Sequence, residues 1–411
     1  MRDIKTLELA IERQLIRPLE DISIVNLVDM FVEYAYVSRA SDVHIQPERD
    51  SVRIRFRVDG ILRDIFEKIR VSKDLHQEII SRIKVMSGLR TDEHLAPQDG
   101  RFRSHIDELG DVDVRVSIVP TYHGENAVFR VLAETQSFQL ADLGFAPADL
   151  KKVESAIRRP YGMILANGPT GSGKSTTLYT ILKQLNAPGT SVVTIEDPIE
   201  YSLDGATQIQ VNAQAGLTFG SGLRSILRQD PNVVMVGEIR DSETAGIAVN
   251  AALTGHLVLS TLHTNDAATT FPRLIDMGVP PFLVTSTVNI AMGQRLVRKI
   301  CQACKKERVL SPEERASLQD IIPEIATMNN VFYQGVGCPA CNMIGYSGRI
   351  GIREVLEVNA EVRRLIVAHA SAQEIKTAAV ANGMVSMLHD GLVKASQGLT
   401  SVEEVVRIIH E

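Results

Sequence analysis

Residues 163–175 of the chain, Met-Ile-Leu-Ala-Asn-Gly-Pro-Thr-Gly-Ser-Gly-Lys-Ser, decide the fold. The run Met163–Ala166 is short and apolar, as expected of a buried strand, and a helix is predicted from Lys174 onward. Between them, residues 168–175 fit the phosphate-loop pattern G-x-x-x-x-G-K-[ST]. Glycines let successive backbone N–H groups turn toward a phosphate, and the helix N-terminus adds favourable partial charge. The pattern therefore predicts a nucleotide site in which Lys174 contacts the β- and γ-phosphates and Ser175 ligates Mg²⁺.

Further apolar runs follow this loop and alternate with helical stretches. They are Val192–Ile195, Val233–Val236 and Leu257–Ser260. The alternation predicts an α/β fold with a mostly parallel sheet covered by helices. Because the carboxyl ends of parallel strands share one edge of a sheet, the residues that follow these runs are expected near the phosphate loop.

Acidic residues follow two of the runs. Glu238 ends an apolar run as the acid of a Walker B segment does, although Gly237 stands where many phosphate-loop proteins have a metal-holding aspartate. A second acidic run, TIEDPIE at residues 194–200, ends with Glu200 and could supply that carboxylate. A carboxylate at either place can orient the attacking water or hold Mg²⁺. The alternative is that some of these acids only cap helices, above all Glu196 and Asp197.

Basic side chains lie close to these acids in the sequence. Arg224 and Arg228 fall on one face of a predicted helix just before the Walker B run. Two positive charges there would stabilise charge on the γ-phosphate or bridge subunits, and a solvated basic helix face is the alternative. His256 and His263 flank the run at 257–260. Each could sense the γ-phosphate or be a satisfied structural histidine.

The first third of the chain has a different pattern. Apolar residues recur at helical spacing over 22–40, and a second helix is expected at about 74–86. The run Val52–Val58 alternates strictly and ends at Asp59-Gly60, which predicts a hairpin of half-buried strands. Further strands are expected near 112–118 and 127–132. We therefore predict a small α+β domain.

The predicted domains are 1–137 and 138–411, joined by a linker within residues 134–150. The second domain includes a cysteine-containing segment at 298–350 and a helical region at 351–411. One strand face of the first domain carries three arginines, which favour a solvated surface over contact with acidic lipid or a partner: Arg53, Arg55 and Arg57.

Composition excludes several classes of protein. The chain has 411 residues, of which 44% are hydrophobic and 23% charged, which suits a globular protein of two or three domains. No apolar run is long enough to span a bilayer, and the first twenty residues carry too many charges for a secretory signal. The net charge of −6 argues against a general attraction to nucleic acid. We expect a cytoplasmic protein.

All four cysteines fall into two C-x-x-C pairs. Each pair can supply two thiolates to a tetrahedral site, which suits structural zinc closed to substrate. Reduced, unliganded cysteines and a redox C-x-x-C motif are the alternatives, and the second is less favoured because the pairs occur together. The predicted zinc ligands are Cys301, Cys304, Cys338 and Cys341.

Taken together, these motifs resemble those of the type II secretion and type IV pilus assembly ATPases. The similarity includes the phosphate loop at 168–176, TIEDPIE at 194–200, LRSILRQDPNVVMVGEIRD at 223–241 and AALTGHLVLSTLHTNDA at 251–267. It continues through QRLVRKIC at 294–301 and both cysteine pairs. The front domain contributes ASDVHIQP at 40–47, VRIRFRVDG at 52–60, PQDGRF at 97–102 and DVRVS at 113–117. The similarity therefore covers nearly the whole chain.

The resemblance implies a RecA-like P-loop motor domain, a smaller N-terminal α+β (PAS-like) domain and a zinc-bound insertion. It also implies a homo-hexamer that binds ATP and Mg²⁺ between the two domains and acts with a platform protein at the inner membrane. No direct contact with nucleic acid is expected. In the family, the cysteine insertion marks assembly and secretion motors, whereas retraction motors lack it.

The resemblance also assigns roles to residues. The nucleotide would be bound by Gly168, Pro169, Thr170, Gly171, Ser172, Gly173, Lys174, Ser175 and Thr176. Glu238 would be the Walker B acid and Glu200 the second catalytic acid, with the general base left open between them. His263, and less surely His256, would contact the phosphate region. The arginines that reach nucleotide across domain or subunit boundaries would be Arg101, Arg115, Arg224 and Arg228.

The expected function is ATP hydrolysis that powers assembly of a type IV pilus or a type II secretion pseudopilus. A retraction or DNA-uptake motor and a non-hydrolysing nucleotide switch are the alternatives. Family members usually carry a further N-terminal docking domain, whereas here Met1 lies shortly before the first predicted helix. Either the chain is part of a longer protein or the natural protein is a short form.

Overall fold

A computed structural model describes residues 3–66, 69, 71–106, 110–132, 138–322, 325–326, 328 and 330–408. The chain divides into two compact units, Met1–Gln136 and Ser137–Glu411. The start of the predicted linker, at 134–137, lies outside the described residues. None of the described helices is both long and apolar enough to cross a membrane.

The first unit combines three helices with one antiparallel sheet. In chain order its elements are α1 (Ile4–Leu15), α2 (Ile24–Val37), β1 (Ala40–Pro47), β2 (Val52–Val58), β3 (Ile61–Asp64), α3 (Lys73–Met86), β4 (Gln98–Ile106), β5 (Gly110–Thr121) and β6 (Gly124–Leu132). The order across the sheet is β3-β2-β1-β6-β5-β4. The predicted helices and strands are all present, and α1 and β4 are additional elements that no local pattern predicted.

Alternation decides which face of this sheet is buried. Val43, Phe56 and Phe129 point to one face and are fully buried with the apolar side of α2. The hairpin between β2 and β3 turns at Asp59 and Gly60, both at positive φ (51° and 87°), as a tight two-residue turn requires. The polar residues of the strands therefore share the opposite face.

The second unit is built on a mixed sheet. Its first elements are α4 (Pro147–Ile157), β7 (Gly162–Asn167), α5 (Lys174–Leu185), β8 (Val192–Glu196), β9 (Thr207–Gln210), α6 (Phe219–Ile226), β10 (Val233–Val236), α7 (Ser242–Leu253), β11 (Leu257–Leu262), α8 (Thr270–Asp276), α9 (Pro281–Thr287) and β12 (Val288–Ile300). The rest are β13 (Lys305–Val309), α10 (Pro312–Ile321), β14 (Val331–Gly335), β15 (Tyr346–Glu357), α11 (Ala360–Val367), α12 (Ala372–Ala381), α13 (Met387–Ser396) and α14 (Val402–Arg407).

The strand order is β15-β12-β7-β11-β10-β8-β9. All neighbours are parallel except β12 and β15, which pair antiparallel. Strands β7, β8, β10 and β11 are buried along their whole length, which explains their unbroken apolar runs. The predicted α/β class is confirmed. The C-terminal edge of the parallel strands brings together the ends of β7, β10 and β11.

The cysteine-containing segment is inserted between β12 and β15. Its strands β13 and β14 form a separate two-stranded sheet, and α10 connects them. The first cysteine pair directly follows β12, and the second pair precedes β15. The insertion is therefore held at the ends of two long, paired strands.

Candidate nucleotide site and cysteine cluster

The phosphate loop begins where β7 ends and finishes where α5 begins. Gly173 precedes the helix at φ 89°, and Lys174 is the first helical residue, as predicted. The Lys174 ammonium donates hydrogen bonds to the carbonyl oxygens of Gly168 and Pro169, at 2.7 and 2.9 Å. Ser175 is exposed at the start of the helix. The loop therefore presents a cation and a hydroxyl at a helix N-terminus, which is the arrangement that binds phosphate.

Glycine is required at position 168. Its φ is 146°, and a Cβ there would lie 2.6 Å from the Gln294 carbonyl oxygen and 2.5 Å from Ser172 Oγ. The fully buried side chain of Gln294 braces the loop: its Nε2 donates to the Ser172 carbonyl (3.0 Å), and its Oε1 accepts from Thr177 Oγ1 (3.0 Å). This role is not visible in the sequence, because Gln294 lies far from the loop in the chain. Its only signal was its place in the run at 294–301.

Glu238 follows β10 at the same edge of the sheet. One carboxylate oxygen lies 2.6 Å from Arg240 Nη2, and the other lies 3.1 Å from His263 Nε2. The carboxylate is 11% exposed. Gly237, just before it, packs closely, since a Cβ would meet the Ile195 carbonyl oxygen at 3.3 Å. The predicted acid and one predicted histidine are therefore in contact.

The charge of Glu238 also acts on Lys174. Burial lowers the pKa of Lys174 to about 8; the Glu238 carboxylate opposes this shift, and the nearby Arg295 guanidinium adds to it. Arg295 is itself buried and donates to the Gln294 carbonyl (3.2 Å), which lies against Gly168. A phosphate bound here would raise the pKa of Lys174 by adding negative charge.

The acids of the run at 194–200 have different surroundings. Glu196 is buried, and its carboxylate accepts hydrogen bonds from Thr194 Oγ1 (2.6 Å), Gln208 Nε2 (3.2 Å) and the Tyr179 hydroxyl. Three hydrogen-bond donors are typical of a carboxylate with a structural role. The alternative raised from the sequence, a helix cap, was also a structural role. Asp197 is exposed, and Glu200 lies partly buried in the segment after β8. The role of Glu200 stays a prediction.

The two candidate histidines lie at opposite ends of β11. His263 follows the strand at the edge that holds the phosphate loop and contacts Glu238. His256 precedes the strand. Its backbone carbonyl accepts a hydrogen bond from the Gly162 amide (3.1 Å), and its ring Nδ1 contacts the Ala251 carbonyl oxygen (3.0 Å). The suggestion that His256 contacts the phosphate region is therefore wrong. A strand of six residues separates its ends by ~20 Å.

The arginine pair before β10 does not share one helix face. Helix α6 ends at Ile226, so that Arg228 lies beyond it and donates to the Arg224 carbonyl (2.9 Å). Arg224 pairs with Glu243 at 2.5 Å. Within the chain, both arginines thus contact residues of α6 and α7. Their action across a subunit boundary stays a prediction.

Arg101 and Arg115 belong to the first unit. They are directly paired on neighbouring strands β4 and β5, on the polar face of the antiparallel sheet. The sequence spacing does not predict this pairing, because the two arginines are fourteen positions apart in the chain.

The four cysteines converge at the base of the insertion. All four sulfurs lie within 4.8 Å of one another. The Sγ–Sγ distances are 3.8 Å for Cys301–Cys338, 3.8 Å for Cys304–Cys341 and 3.7 Å for Cys338–Cys341. A tetrahedral ion with Zn–S bonds of ~2.3 Å separates its sulfurs by ~3.8 Å. The donor set and its spacing therefore fit structural zinc.

The local backbone favours a thiolate in this cluster. Burial acts to raise the pKa of Cys341, but amide donors from Cys338 (3.3 Å) and Gly345 (3.2 Å) bring that pKa down to about 6. Burial raises the pKa of Cys304 to about 12. Because a metal binds cysteine as the thiolate, a cation bound here would displace the protons of the remaining thiols.

Comparisons with known proteins agree with this geometry. The type IV pilus assembly ATPase PilB of Thermus thermophilus is 46% identical over 389 residues, which are 94% of this chain and 43% of that protein. The type II secretion system ATPase E of Vibrio cholerae is 44% identical over 405 residues, covering 98% of this chain and 79% of that protein. This chain thus spans less than half of the Thermus relative.

Among solved structures, the ATPase DotB of Legionella pneumophila is similar in fold. Its TM-score is 0.71 at 24% identity, and the match covers 96% of this chain and 98% of that one. The sequence profile described as "Type II/IV secretion system protein" matches residues 18–407. The resemblance inferred from the motifs is confirmed, and the chain belongs to the Type II/IV secretion system protein family.

Proposed function

We propose that this chain is a Mg²⁺-dependent ATPase whose hydrolysis powers assembly of a type IV pilus or a type II secretion pseudopilus. This proposal is supported above all by one observation: Lys174, Glu238 and His263 lie together at the C-terminal edge of the parallel sheet. Lys174 lies in the phosphate loop, the charge of Glu238 reaches it, and Glu238 contacts His263 at 3.1 Å. A phosphate cradle and a carboxylate side by side suit phosphoryl transfer to water.

In this mechanism, Lys174 moves its hydrogen bonds from the Gly168 and Pro169 carbonyls to the phosphates of ATP. Glu238, held by Arg240 and His263, orients a water in line with the γ-phosphorus and accepts its proton. The bond from the γ-phosphorus to the bridging oxygen breaks, and ADP leaves with the electron pair. Mg²⁺ beside Ser175 would neutralise charge on the phosphate oxygens. His263 is then well placed to respond to the loss of the γ-phosphate.

We further propose that the chain acts as a homo-hexamer in the cytoplasm, peripheral to the inner membrane, and drives a platform protein there. Arg224 and Arg228 would act on nucleotide across a subunit boundary, and Arg101 and Arg115 from the first unit. Glu200 would be the second catalytic acid. The relatives named as pilus assembly and secretion ATPases support an action of this chain in such a system.

The first experiment measures steady-state ATP hydrolysis by the purified, zinc-loaded protein together with its mass in solution. Turnover that requires Mg²⁺, in a hexamer, is expected. Lys174→Ala should abolish it, since the loop then lacks its cation. Lys183→Ala is the matched control, because this exposed lysine lies on the same helix α5, away from the loop.

The result separates the motor from the nucleotide switch. Nucleotide binding without turnover, even when a platform protein is added, would overturn the motor and favour the switch. Equal turnover in Lys174→Ala and in the parent would mean that the hydrolysis comes from another site.

We also propose that Cys301, Cys304, Cys338 and Cys341 hold structural zinc, which ties the insertion to the ends of β12 and β15. Zinc supplies rigidity here and takes no part in hydrolysis. Replacing Cys338 with serine should lower the affinity for zinc about a hundredfold, because one of the four ligands is lost. Zinc content and competition with a chelator measure this. Full zinc retention in Cys338→Ser would contradict the four-thiolate site.

A further inference from the structure

The segment that joins β11 to α8 begins with His263. We call residues 263–269 the β11–α8 loop. At its start, His263 contacts the Glu238 carboxylate at 3.1 Å. Directly after it, Thr270 Oγ1 accepts a hydrogen bond of 2.6 Å from Asn167 Nδ2, and Asn167 is the last residue of β7 before the phosphate loop. Contacts with the candidate nucleotide site therefore flank this loop at both ends.

The middle of the loop is held by residues from a different part of the chain. The Ala267 amide donates a hydrogen bond of 2.8 Å to Glu354 Oε1, and Lys376 Nζ lies 3.2 Å from Asp266 Oδ2. Glu354 belongs to β15 and Lys376 to α12. Both follow the cysteine insertion in the sequence, whereas the groups that flank the loop precede it. The loop thus links the candidate nucleotide site to the C-terminal region of the second unit.

Glu354 is a fully buried carboxylate that joins several elements. Its Oε2 accepts a hydrogen bond of 3.2 Å from the Met387 amide at the start of α13, and it lies 3.9 Å from Lys376 Nζ. Burial raises the pKa of Glu354, and the Lys376 ammonium and the Ala267 amide oppose this shift. A buried carboxylate is costly unless it is paired and hydrogen-bonded. Lys376 therefore stabilises the charged form that binds the loop amide.

The neighbouring strand leaves space for this contact. Gly293 of β12 is the direct partner of Glu354 in the antiparallel pair. A Cβ at position 293 would lie 2.9 Å from Glu354 Oε1 and 3.0 Å from the Ala267 nitrogen. The hydrogen bond between Glu354 and Ala267 thus occupies the space that a side chain at position 293 would need. The next residue, Gln294, braces the phosphate loop, so β12 supports both contacts.

Asp266 gives the loop its form. Its Oδ1 accepts hydrogen bonds from the Thr269 amide (2.9 Å) and the Thr269 hydroxyl (2.6 Å), and its backbone carbonyl accepts one from Thr264 Oγ1 (3.1 Å). Its Oδ2 accepts from Lys376. One carboxylate therefore organises the loop and ties it to α12, three residues away from His263.

We infer that Glu354 and Lys376 are positioning residues for hydrolysis, which hold His263 against Glu238 through the β11–α8 loop. The inference rests on the proposed function, because it names residues that act on the same site from the C-terminal region. A misplaced His263 would leave Glu238 poorly oriented toward the attacking water. Since the phosphate loop binds the nucleotide, the rate of hydrolysis should fall while nucleotide affinity is retained.

The experiment measures kcat and KM for ATP with the full-length, zinc-loaded protein. Lys376→Met should lower kcat about tenfold, because the loop loses its link to α12, and should change KM less than about twofold. Lys376→Arg should restore most of the rate, since it keeps a positive charge opposite Asp266. An unchanged kcat in Lys376→Met overturns the inference.

Lys152→Met is the matched control. The Lys152 side chain is 22% exposed, against 31% for Lys376, and it also pairs with a carboxylate, that of Asp149 at 2.8 Å. It reaches β15 as well, at the Val355 carbonyl oxygen (3.4 Å), but it does so from α4. This control should change kcat less than about twofold, because the contacts of the β11–α8 loop remain. An equal loss of kcat in both variants overturns the inference in favour of a general disturbance of β15.

A double-mutant cycle tests whether Lys376 acts through His263. His263→Ala alone should lower kcat. Adding Lys376→Met should then change kcat less than about twofold further, because the contact that Lys376 supports is already lost. Losses of kcat that multiply in the double variant overturn the inference, since the two residues would then act independently.

Asp266→Asn is a second variant in case Lys376→Met fails to fold. It keeps an oxygen for Thr269 and removes the charge that pairs with Lys376, so kcat should fall in the same way. A kcat equal to that of the parent overturns the inference here too.

Hydrogen exchange of residues 263–269 without nucleotide, followed by mass spectrometry, reports on the loop independently of turnover. Exchange should be faster in Lys376→Met than in the parent and in Lys152→Met. The two proposals can therefore fail separately. Lack of ATP turnover in the parent would remove the proposed function and leave the exchange result as it is. Turnover together with unchanged exchange in Lys376→Met would retain the function and remove the positioning role.

Discussion

The two sheets of this protein position their candidate functional groups in different ways. In the parallel sheet of the second unit, the groups follow strand ends and meet at one edge, as Lys174, Glu238 and His263 do. In the antiparallel sheet of the first unit, the groups come from within neighbouring strands and meet on one face, as Arg115 and Arg130 do. The groups that meet at the edge are determined by strand direction alone, whereas the groups that meet on the face are determined by the register of the paired strands.

This difference has a consequence for substitutions. A strand end of a parallel sheet offers positions of unlike burial within a few residues, so neighbouring acids can differ in role. A sheet face offers alternate positions of similar exposure, so that several arginines share one task. We therefore expect large effects from single residues at the edge and smaller ones on the face.

The largest expected effect separates two acids of the edge. Glu238→Gln should lower kcat by about 10²–10³-fold, because the uncharged amide cannot take the proton of the attacking water. Nucleotide affinity should change less than about threefold. Stopped-flow measurement of phosphate release and equilibrium binding of ADP check both.

Glu196→Gln is the matched control, since it makes the same change at the buried end of β8. It should lower the free energy of unfolding by about 1–3 kcal/mol, because it disturbs hydrogen bonds from Thr194 and Tyr179, and leave kcat nearly unchanged. Denaturant unfolding measures the loss. If Glu196→Gln reduced kcat as much as Glu238→Gln, the separation of roles at the edge would be wrong.

The next effect is the pH dependence of nucleotide binding. The pKa of Lys174 is lowered to about 8, so above that pH the ligand-free protein increasingly carries a neutral amine. Phosphate prefers the ammonium form, so binding takes up a proton and affinity should fall by up to about tenfold per pH unit above pH 8. Calorimetric ADP binding between about pH 7 and 10 tests the direction. Lys174→Arg, which stays charged, should remove the slope; a flat profile for the parent would contradict the assignment.

The smallest expected effect concerns the sheet face. Arg115→Gln should raise the KM for ATP severalfold, because neighbouring arginines retain part of the positive charge. Arg103→Gln, whose partner Asp113 lies at 3.0 Å, should leave KM unchanged. Initial rates over a range of ATP concentrations measure both. A thousandfold loss in Arg115→Gln would mean that one residue of the face acts alone, and the contrast between edge and face would then disappear.

Local patterns predicted most of the elements. The helix expected over 22–40 spans Ile24–Val37, and the one expected from about 74 spans Lys73–Met86. Strand β4 was missed because its first four residues are polar or glycine and only Phe102, Ser104 and Ile106 face inward. Its partner β5 makes it a strand, and that pairing is not visible in its own sequence.

Glycines illustrate the same limit. Glycine disfavours the interior of a helix, yet Gly391 lies inside α13. A Cβ there would lie 3.0 Å from Val405 Cγ1. The glycine thus permits the close approach of α13 and α14, a reason that involves a residue fourteen positions away. Helix propensities are measured on isolated helices, so they do not include contacts with a neighbouring helix.

Sequence alone was sufficient for the phosphate loop, the parallel strands and the cysteine pairs, because each consists of a short run whose spacing dictates its chemistry. Three features are visible only in the tertiary structure. His256 lies at the end of β11 away from the phosphate loop, Glu196 is a buried hydrogen-bond acceptor, and Gln294 packs against the loop. The tertiary structure also aligns Arg130 with Arg115 and Asp42. Those placements depend on strand direction, register and burial, which arise from contacts between residues that are distant in the chain.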